Sequence, residues 1–114
     1  MPHVIIEYSE DVAELIAIED LVDAVHEGTM RSGLFPEYDI KTRAIGYAQH
    51  RTGQTQDSFV HVAVHLLDGR SDDQKGSLSE GLLGKIEPLL PRVVSVSVET
   101  LDIHRASYRK RVLE

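Results

Sequence analysis

Four residues of this chain have the side-chain types that proton transfer on an acidic organic molecule requires: Pro2, Lys41, Arg43 and Arg70. Pro2 matters because aminopeptidases remove an initiator methionine that precedes a small residue, proline included, which frees its secondary amine. A free α-amino group titrates near ~7.7–8.0, and an apolar pocket lowers that pKa toward neutrality. Such an amine is a general base at working pH. Proline here also has a structural explanation, because the first residue of a β-strand needs no backbone donor.

The three basic residues are placed where a carboxylate could be held. Arg70 directly precedes Ser71, the expected N-cap of a helix, so backbone N–H groups, the helix dipole and a two-pronged guanidinium favour an anion there. Lys41 and Arg43 are two apart in a predicted strand, and their side chains therefore leave the same face. The structural alternatives are a solvated arginine in a turn and a charged pair that protects an exposed strand edge.

Composition and spacing argue against several other functions. The 114-residue chain has 19 acidic and 12 basic residues, and this formal charge of −7 disfavours nucleic acid or an acidic membrane as a partner. It has no cysteine. Of its histidines, His61 and His65 share a face but lie roughly 13 Å apart at ~3.3 Å per residue, so no metal site is expected. The sequence also has no phosphate-binding loop and no nucleophile elbow. With no cysteine and no membrane-length apolar run, we expect a cytoplasmic protein.

The elements that must position these residues follow the order strand, helix, strand, twice over. In the first half, Pro2–Tyr8 predicts a buried strand, Val12–Met30 a helix and Ile40–His50 a second strand. The helix has an apolar stripe at steps of three and four, and we expect it to end at Ser32-Gly33. The stripe consists of Leu15, Ile18, Val22 and Val25.

The second half repeats the plan. Ser58–Leu67 alternates as a half-buried strand does, and Ser71 with Gln74 forms a capping box that begins a helix. The apolar stripe of that helix is Leu78, Leu82, Ile86 and Leu89, with Pro91 expected to help end it. Val93–Ile103 predicts the fourth strand, and the basic tail Ser107–Glu114 has no predicted structure.

Together these elements predict a single α/β domain over residues 1–114, with a duplicated βαβ unit and pseudo-repeats at about 2–50 and 58–104. Two such units, with both helices on one face of a four-stranded sheet, form a two-layer sandwich. A ferredoxin-like fold has the same order of elements and remains an alternative. A core of this size gains stability from self-association.

Several segments resemble the tautomerase superfamily. Residues 68–75, with the sequence DGRSDDQK, are similar to the turn after the first strand of 4-oxalocrotonate tautomerase. More of the chain resembles one branch of the superfamily, the 5-carboxymethyl-2-hydroxymuconate isomerase family. The matching residues are Pro2, His3, Glu7 and Ser9, then Gly33-Leu34-Phe35-Pro36 with Ile40, Thr42 and Arg43, then Phe59-Val60-His61 leading into Gly69-Arg70-Ser71.

The resemblance implies a tautomerase-like sandwich, a homotrimer with active sites near subunit boundaries, and an isomerase that needs no cofactor or metal. The implied substrate is a dicarboxylated or tricarboxylated dienol of aromatic catabolism similar to 5-carboxymethyl-2-hydroxymuconate, in the family's case from homoprotocatechuate degradation. Pro2 would remove the proton of the 2-hydroxyl group and return a proton to carbon, while cationic side chains hold the carboxylates. Arg70 carries over as a carboxylate clamp, and Lys41 and Arg43 are the further substrate-binding candidates.

One departure from the family and two alternative functions stay open. Lys41 stands where the family usually has arginine, which keeps the charge but loses the planar two-donor fork. If a pseudo-two-fold axis relates the halves, the first and third strands are antiparallel, and Pro2 and Arg70 share a pocket. The alternatives are a tautomerase or hydratase for another enol or haloacrylic acid, and a non-catalytic ferredoxin-like ligand-binding module.

Overall fold

A computed structural model describes residues 1–113 as two layers, a four-stranded sheet and two helices. The elements are β1 (His3–Ser9), α1 (Ile18–Arg31), β2 (Lys41–Tyr47), β3 (Phe59–Leu67), α2 (Asp72–Ile86) and β4 (Ser95–Ile103). The strands form one sheet in the order β2-β1-β3-β4. This confirms the predicted sandwich. Within the described residues, neither helix has the length and apolar character needed to cross a membrane.

Strand pairing decides between the two folds that the order of elements allows. β1 pairs with β2 in parallel, β3 pairs with β4 in parallel, and β1 and β3 run antiparallel. In a ferredoxin-like fold, the parallel strands of each βαβ unit are split by another strand. Here they are direct neighbours, so the ferredoxin-like alternative is wrong. The antiparallel pairing also places the start of β1 and the end of β3 at the same end of the sheet.

The helices bury one face of the sheet. Alternate residues of the two central strands point into this layer and pack against the apolar stripes of α1 and α2. Core members with no exposed surface are Val4, Ile6, Val60, Val62, Val64 and Leu66 on the sheet, and Leu21, Val25 and Ile86 on the helices. Because burying one such side chain contributes about 1.5–3 kcal/mol, this layer is the main source of stability.

Two residues assigned to the helix stripes lie outside the core. Leu15 is 37% exposed, because a 3₁₀ turn over Glu10–Glu14 delays the start of α1. Leu89 is 41% exposed, because α2 ends before it and a 3₁₀ turn follows. The proline in that turn is Pro88, so Pro91 is not the residue that ends the helix.

Helix boundaries with a local chemical signal are where the sequence predicts them. Gly33, just after α1, has a φ of +73°, a left-handed conformation that glycine adopts without strain. The Gln74 backbone donates to the Ser71 hydroxyl at 3.1 Å, and the Ser71 backbone donates to the Gln74 side chain at 2.9 Å. The capping box that places Arg70 directly before α2 is therefore complete.

The other face of the sheet, here called the open face, has no helix packed on it within the described residues. It is formed by the odd-numbered residues of the four strands, from His3 in β1 to Ile103 in β4. Its exposed side chains include apolar Ile45 and Leu101 as well as charged Lys41. A sheet with antiparallel strands can have one face exposed to water. Apolar residues on such a face indicate that another protein surface packs against it.

Candidate active site

The amino end of the chain is enclosed where β1 begins. Met1 is only 6% exposed, and Pro2 is buried. The Met1 amino group donates to the Asp39 backbone carbonyl at 3.2 Å and lies 3.6 Å from the Asp39 carboxylate. The backbone N–H of Lys41 donates to the Pro2 carbonyl at 3.1 Å. The start of β1 is therefore fixed against the turn that leads into β2.

Lys41 is brought to this amino end. Its Nζ donates to the Asp39 carbonyl at 3.0 Å, and the Met1 amine donates to the same oxygen. The two nitrogens therefore lie within about two hydrogen-bond lengths of each other. Burial lowers the pKa of the Met1 amine below its ordinary 8.0; Asp39 opposes this shift, while Lys41 and Lys110 add to it. An amine at this position is biased toward its neutral, basic form.

Arg43 lies two residues further along β2, on the open face, and contacts His3. Its Nη1 is 3.1 Å from His3 Nδ1, and His3 Nε2 is 3.4 Å from the hydroxyl of Tyr108. Burial, followed by the charges of Arg43 and Lys41, lowers the pKa of His3, so the ring is neutral at pH 7. Because a guanidinium can only donate, His3 Nδ1 accepts and Nε2 carries the proton.

Arg70 lies at the same end of the sheet, on the side that faces the helices. Its guanidinium donates to the Leu34 carbonyl at 2.9 Å and to the Leu67 carbonyl at 3.4 Å. The same group lies 4.7 Å from the centre of the Phe35 ring, and Phe35 is part of the core. These contacts hold a half-buried cation between the end of β3 and the loop before β2.

The four predicted residues therefore converge on one end of the sheet but occupy two sides of it. Pro2 is at the start of β1, Lys41 is beside it, and Arg43 is further along the open face. Arg70 contacts the loop before β2 rather than the amino end itself. The arrangement places an amine next to one cation, Lys41, with a second cation, Arg43, further along the open face and a third, Arg70, on the helix side.

Sequence reasoning missed Asp39 and the tail. Lys110 Nζ lies 3.3 Å from the Asp39 carboxylate, and Arg105 Nε lies 3.4 Å from the Asp68 carboxylate. Burial alone raises the pKa of Asp39, but the hydrogen bond from Lys110 and the nearby positive charges outweigh it and hold the pKa below its ordinary value. The sole signal was the basic tail of an acidic chain, which does not reveal where the tail packs.

Comparison with known proteins identifies the family. The sequence model of the 5-carboxymethyl-2-hydroxymuconate isomerase family matches residues 2–110, nearly the whole chain. The chain belongs to this family. It is an isomerase of the tautomerase superfamily. A comparison with curated protein sequences finds no match.

Solved structures share the fold of this isomerase. A 5-carboxymethyl-2-hydroxymuconate isomerase from Deinococcus radiodurans R1 is 23% identical with a TM-score of 0.86, over 96% of this chain and 88% of that chain. Pt0534 inactivated by 2-oxo-3-pentynoate is 19% identical with a TM-score of 0.73, over 93% and 89%. A fused 4-OT asymmetric trimer is 18% identical with a TM-score of 0.74, over 95% and 91%. These likenesses establish the tautomerase fold.

Proposed function

We propose that the isomerase converts 5-carboxymethyl-2-hydroxymuconate, or a closely similar carboxylated dienol, to its oxo tautomer through the Pro2 amine. The reaction would serve the degradation of homoprotocatechuate. The observation that carries the proposal is the enclosed amino end, where Pro2 is buried beside Lys41 in a chain whose residues 2–110 match the isomerase family.

Pro2 acts as a base only after Met1 has been removed. Met1 is buried, and its amine lies next to Asp39 and Lys41. Removal of Met1 would open that position and leave the Pro2 amine beside the same groups. The causes that lower the pKa of the Met1 amine, burial first and then Lys41 and Lys110 against Asp39, would act on the Pro2 amine as well.

The chemistry needs one group that both takes and returns a proton. The neutral Pro2 amine removes the proton of the 2-hydroxyl group, and the electron pair of that O–H bond forms the new carbonyl. The conjugated double bonds shift, and a carbon atom takes a proton from the Pro2 ammonium, so an O–H bond is exchanged for a C–H bond. Lys41 stabilises the negative charge that develops on oxygen. Arg70 holds a carboxylate by two parallel hydrogen bonds.

The direct test is ultraviolet-monitored ketonisation by purified protein whose amino terminus has been established by mass spectrometry. Rapid turnover of 5-carboxymethyl-2-hydroxymuconate supports the proposal. Turnover of a phenylpyruvate-like enol alone, or hydration of a haloacrylate, would instead support the alternative substrates. No turnover of any of these by a chain that begins at Pro2 contradicts the proposed reaction.

A covalent probe tests the role of the amine separately from turnover. 2-Oxo-3-pentynoate is an alkynyl ketone, so a neutral amine can add to its triple bond, and this compound inactivates the structural neighbour Pt0534. We expect stoichiometric labelling of the isomerase, with the added mass on the peptide that begins at Pro2. Labelling confined to lysine side chains would argue against a reactive proline.

The pH profile should show the lowered pKa of the amine. Because the base must be neutral, kcat/KM should rise with pH and level off above an apparent pKa that is below the ordinary value of about 8.0. Lys41→Gln removes a positive charge that lowers this pKa, so the rising limb should move to higher pH. Steady-state kinetics from pH 5 to 9 measure the rising limb of kcat/KM for the wild type and for the variant. A wild-type midpoint above 8, or a shift to lower pH in the variant, contradicts the assignment.

We also propose that the isomerase is a homotrimer. Support comes from the open face, where Ile45 is 52% exposed and Leu101 is 37% exposed, and from the fused 4-OT neighbour, which is a trimer. Light scattering coupled to size-exclusion chromatography should give a mass of three chains. Replacing Ile45 with aspartate should lower that mass, because a charge would enter the contact surface. A wild-type monomer at micromolar concentration contradicts the proposal.

A further inference from the structure

A cavity of about 320 Å³ opens on the open face near the amino end. The residues that line it are His3, Ile5, Arg43, His65, Ile103 and Tyr108. The two isoleucines supply apolar surface, while Arg43 enters from β2 and Tyr108 enters from the tail. None of the six lining residues is acidic. The proton transfer described above uses neither His3 nor Tyr108, so their arrangement calls for its own explanation.

The hydrogen bonds around the cavity leave donors unused. Arg43 uses one of its five N–H groups on His3 Nδ1. Neutral His3 directs its Nε2–H to the Tyr108 oxygen at 3.4 Å. That oxygen is then the acceptor, and the Tyr108 O–H is left to donate to another group. A cationic fork and a hydroxyl donor beside apolar surface match a carboxylate on a short hydrocarbon arm.

The two cationic groups of β2 on the open face, Lys41 and Arg43, are spaced along the strand beside β1. In the sheet, His3 lies opposite Lys41 and Ile5 lies opposite Arg43. Arg43 is therefore about 10 Å from Pro2 along the strands at ~3.3 Å per residue, and its side chain can reach back over part of that distance. The proposed substrate is a six-carbon chain with a carboxylate at each end and a third on a carboxymethyl arm. Arg43 is therefore far enough from the amine to reach the carboxylate of the arm, while Lys41 stays beside the amine.

We propose that this cavity binds the carboxylate of the carboxymethyl arm, with Arg43 pairing with the carboxylate and the Tyr108 hydroxyl donating a hydrogen bond to it. The inference deepens the proposed function and rests on it. Tyr108 then determines specificity, since it distinguishes dienols that carry the arm from those that lack it. His3 is a positioning residue, because it fixes the Arg43 guanidinium on one side and orients the Tyr108 hydroxyl on the other.

The experiment compares Tyr108→Phe with wild type on two dienols that differ only in the arm. For 5-carboxymethyl-2-hydroxymuconate, loss of a hydrogen bond to a charged group should raise KM about tenfold and leave kcat within about twofold. For 2-hydroxymuconate, which lacks the arm, both constants should stay within about twofold of wild type. The matched control is Tyr38→Phe, the same chemical change at a tyrosine that is 86% exposed, and it should change neither substrate's constants.

Two kinetic results would overturn the subsite. An equal rise in KM for both dienols would mean that Tyr108 acts on the shared part of the substrate or on the fold. No rise for either dienol would mean that its hydroxyl contacts no part of the substrate. Because the variant keeps the ring and loses only the hydroxyl, the place of the ring beside the cavity should be retained, and an unchanged thermal unfolding temperature would verify this.

A binding experiment separates failure of this inference from failure of the proposed reaction. Itaconate carries a carboxylate and a carboxymethyl arm on one double-bonded carbon, as the substrate does at that end, and methacrylate has a methyl group in place of the arm. Neither has an enol hydroxyl. If the wild type ketonises no dienol yet binds itaconate more tightly in an NMR titration, and Tyr108→Phe abolishes the preference, the subsite is right and the reaction is wrong. Equal binding of the two acids overturns the subsite as well.

Discussion

Replacing Pro2 with alanine is expected to lower kcat/KM for the dienol by about 10²-fold or more, toward the 10²–10⁴-fold that a positioned general base contributes. Alanine is small, so removal of Met1 should continue and an α-amino group is still present. The variant loses the pyrrolidine ring, which fixes the backbone torsion at the nitrogen and keeps the amine in one orientation. A primary amine on a rotatable bond samples several orientations, of which few direct its lone pair at the substrate.

Pro91→Ala is the matched control for this substitution. Pro91 is exposed and lies shortly before β4, at the end of the sheet opposite Pro2. It should retain wild-type kcat/KM, which separates the role of the amine from a general effect of losing a proline. Intact-mass measurement must show that wild type and Pro2→Ala have both lost Met1. Full activity in a Pro2→Ala chain that begins at the introduced alanine, or in wild type that retains Met1, contradicts the role of the Pro2 amine.

Elements with local signals could be predicted from the sequence. The alternation in β3 and the Ser71–Gln74 capping box depend on neighbours within four residues, so their physics is visible in a short window. The predicted start of α1, Val12, is six residues too early, because α1 begins at Ile18. Leu15 continues the helical spacing, but the chain there follows a 3₁₀ turn over Glu10–Glu14. Spacing alone does not reveal whether a first turn belongs to the helix.

The same distinction applies to the site. That Pro2 and Arg70 lie at one end of the sheet follows from two βαβ units joined by an antiparallel pair, and the pairing of β1 with β3 agrees with it. The contacts of the tail do not follow from the topology of the sheet. His3 and Tyr108 are 105 residues apart, and Asp39 and Lys110 are 71 apart. Such contacts depend on where the chain goes after β4, which no periodicity in the tail encodes.

The structure suggests a physical reason for lysine rather than arginine at position 41. The flexible side chain of Lys41 lets Nζ reach the Asp39 carbonyl beside the amino-terminal amine. From there the positive charge of Lys41 lowers the pKa of that amine. An arginine at this position would offer a planar fork to a carboxylate instead. In the proposed subsite Arg43 supplies the fork for the arm, so Lys41 needs only its positive charge and not the planar geometry of arginine.

Arg70→Ala is expected to lower kcat/KM by about 10²–10³-fold, mostly through KM, because the proposed two-pronged contact to a substrate carboxylate would be lost. The substitution also removes donors to the Leu34 and Leu67 carbonyls and uncovers the Phe35 ring. We therefore expect it to lower the free energy of unfolding by about 1–3 kcal/mol. That second effect makes the alanine variant ambiguous by itself.

Arg70→Lys resolves the ambiguity. Lysine keeps a positive charge near the Phe35 ring but cannot form the two parallel bonds, so KM should rise about 10- to 100-fold while thermal stability changes less than in the alanine variant. Arg92→Lys, an exposed arginine just before β4, is the matched control and should leave KM unchanged. If Arg70→Lys keeps the wild-type KM for a tricarboxylated dienol while Arg70→Ala unfolds at lower temperature, Arg70 only anchors the loop before β2. A rise in KM at unchanged stability would instead identify the guanidinium fork as part of the binding site, because in that case the fold is intact and only recognition has changed.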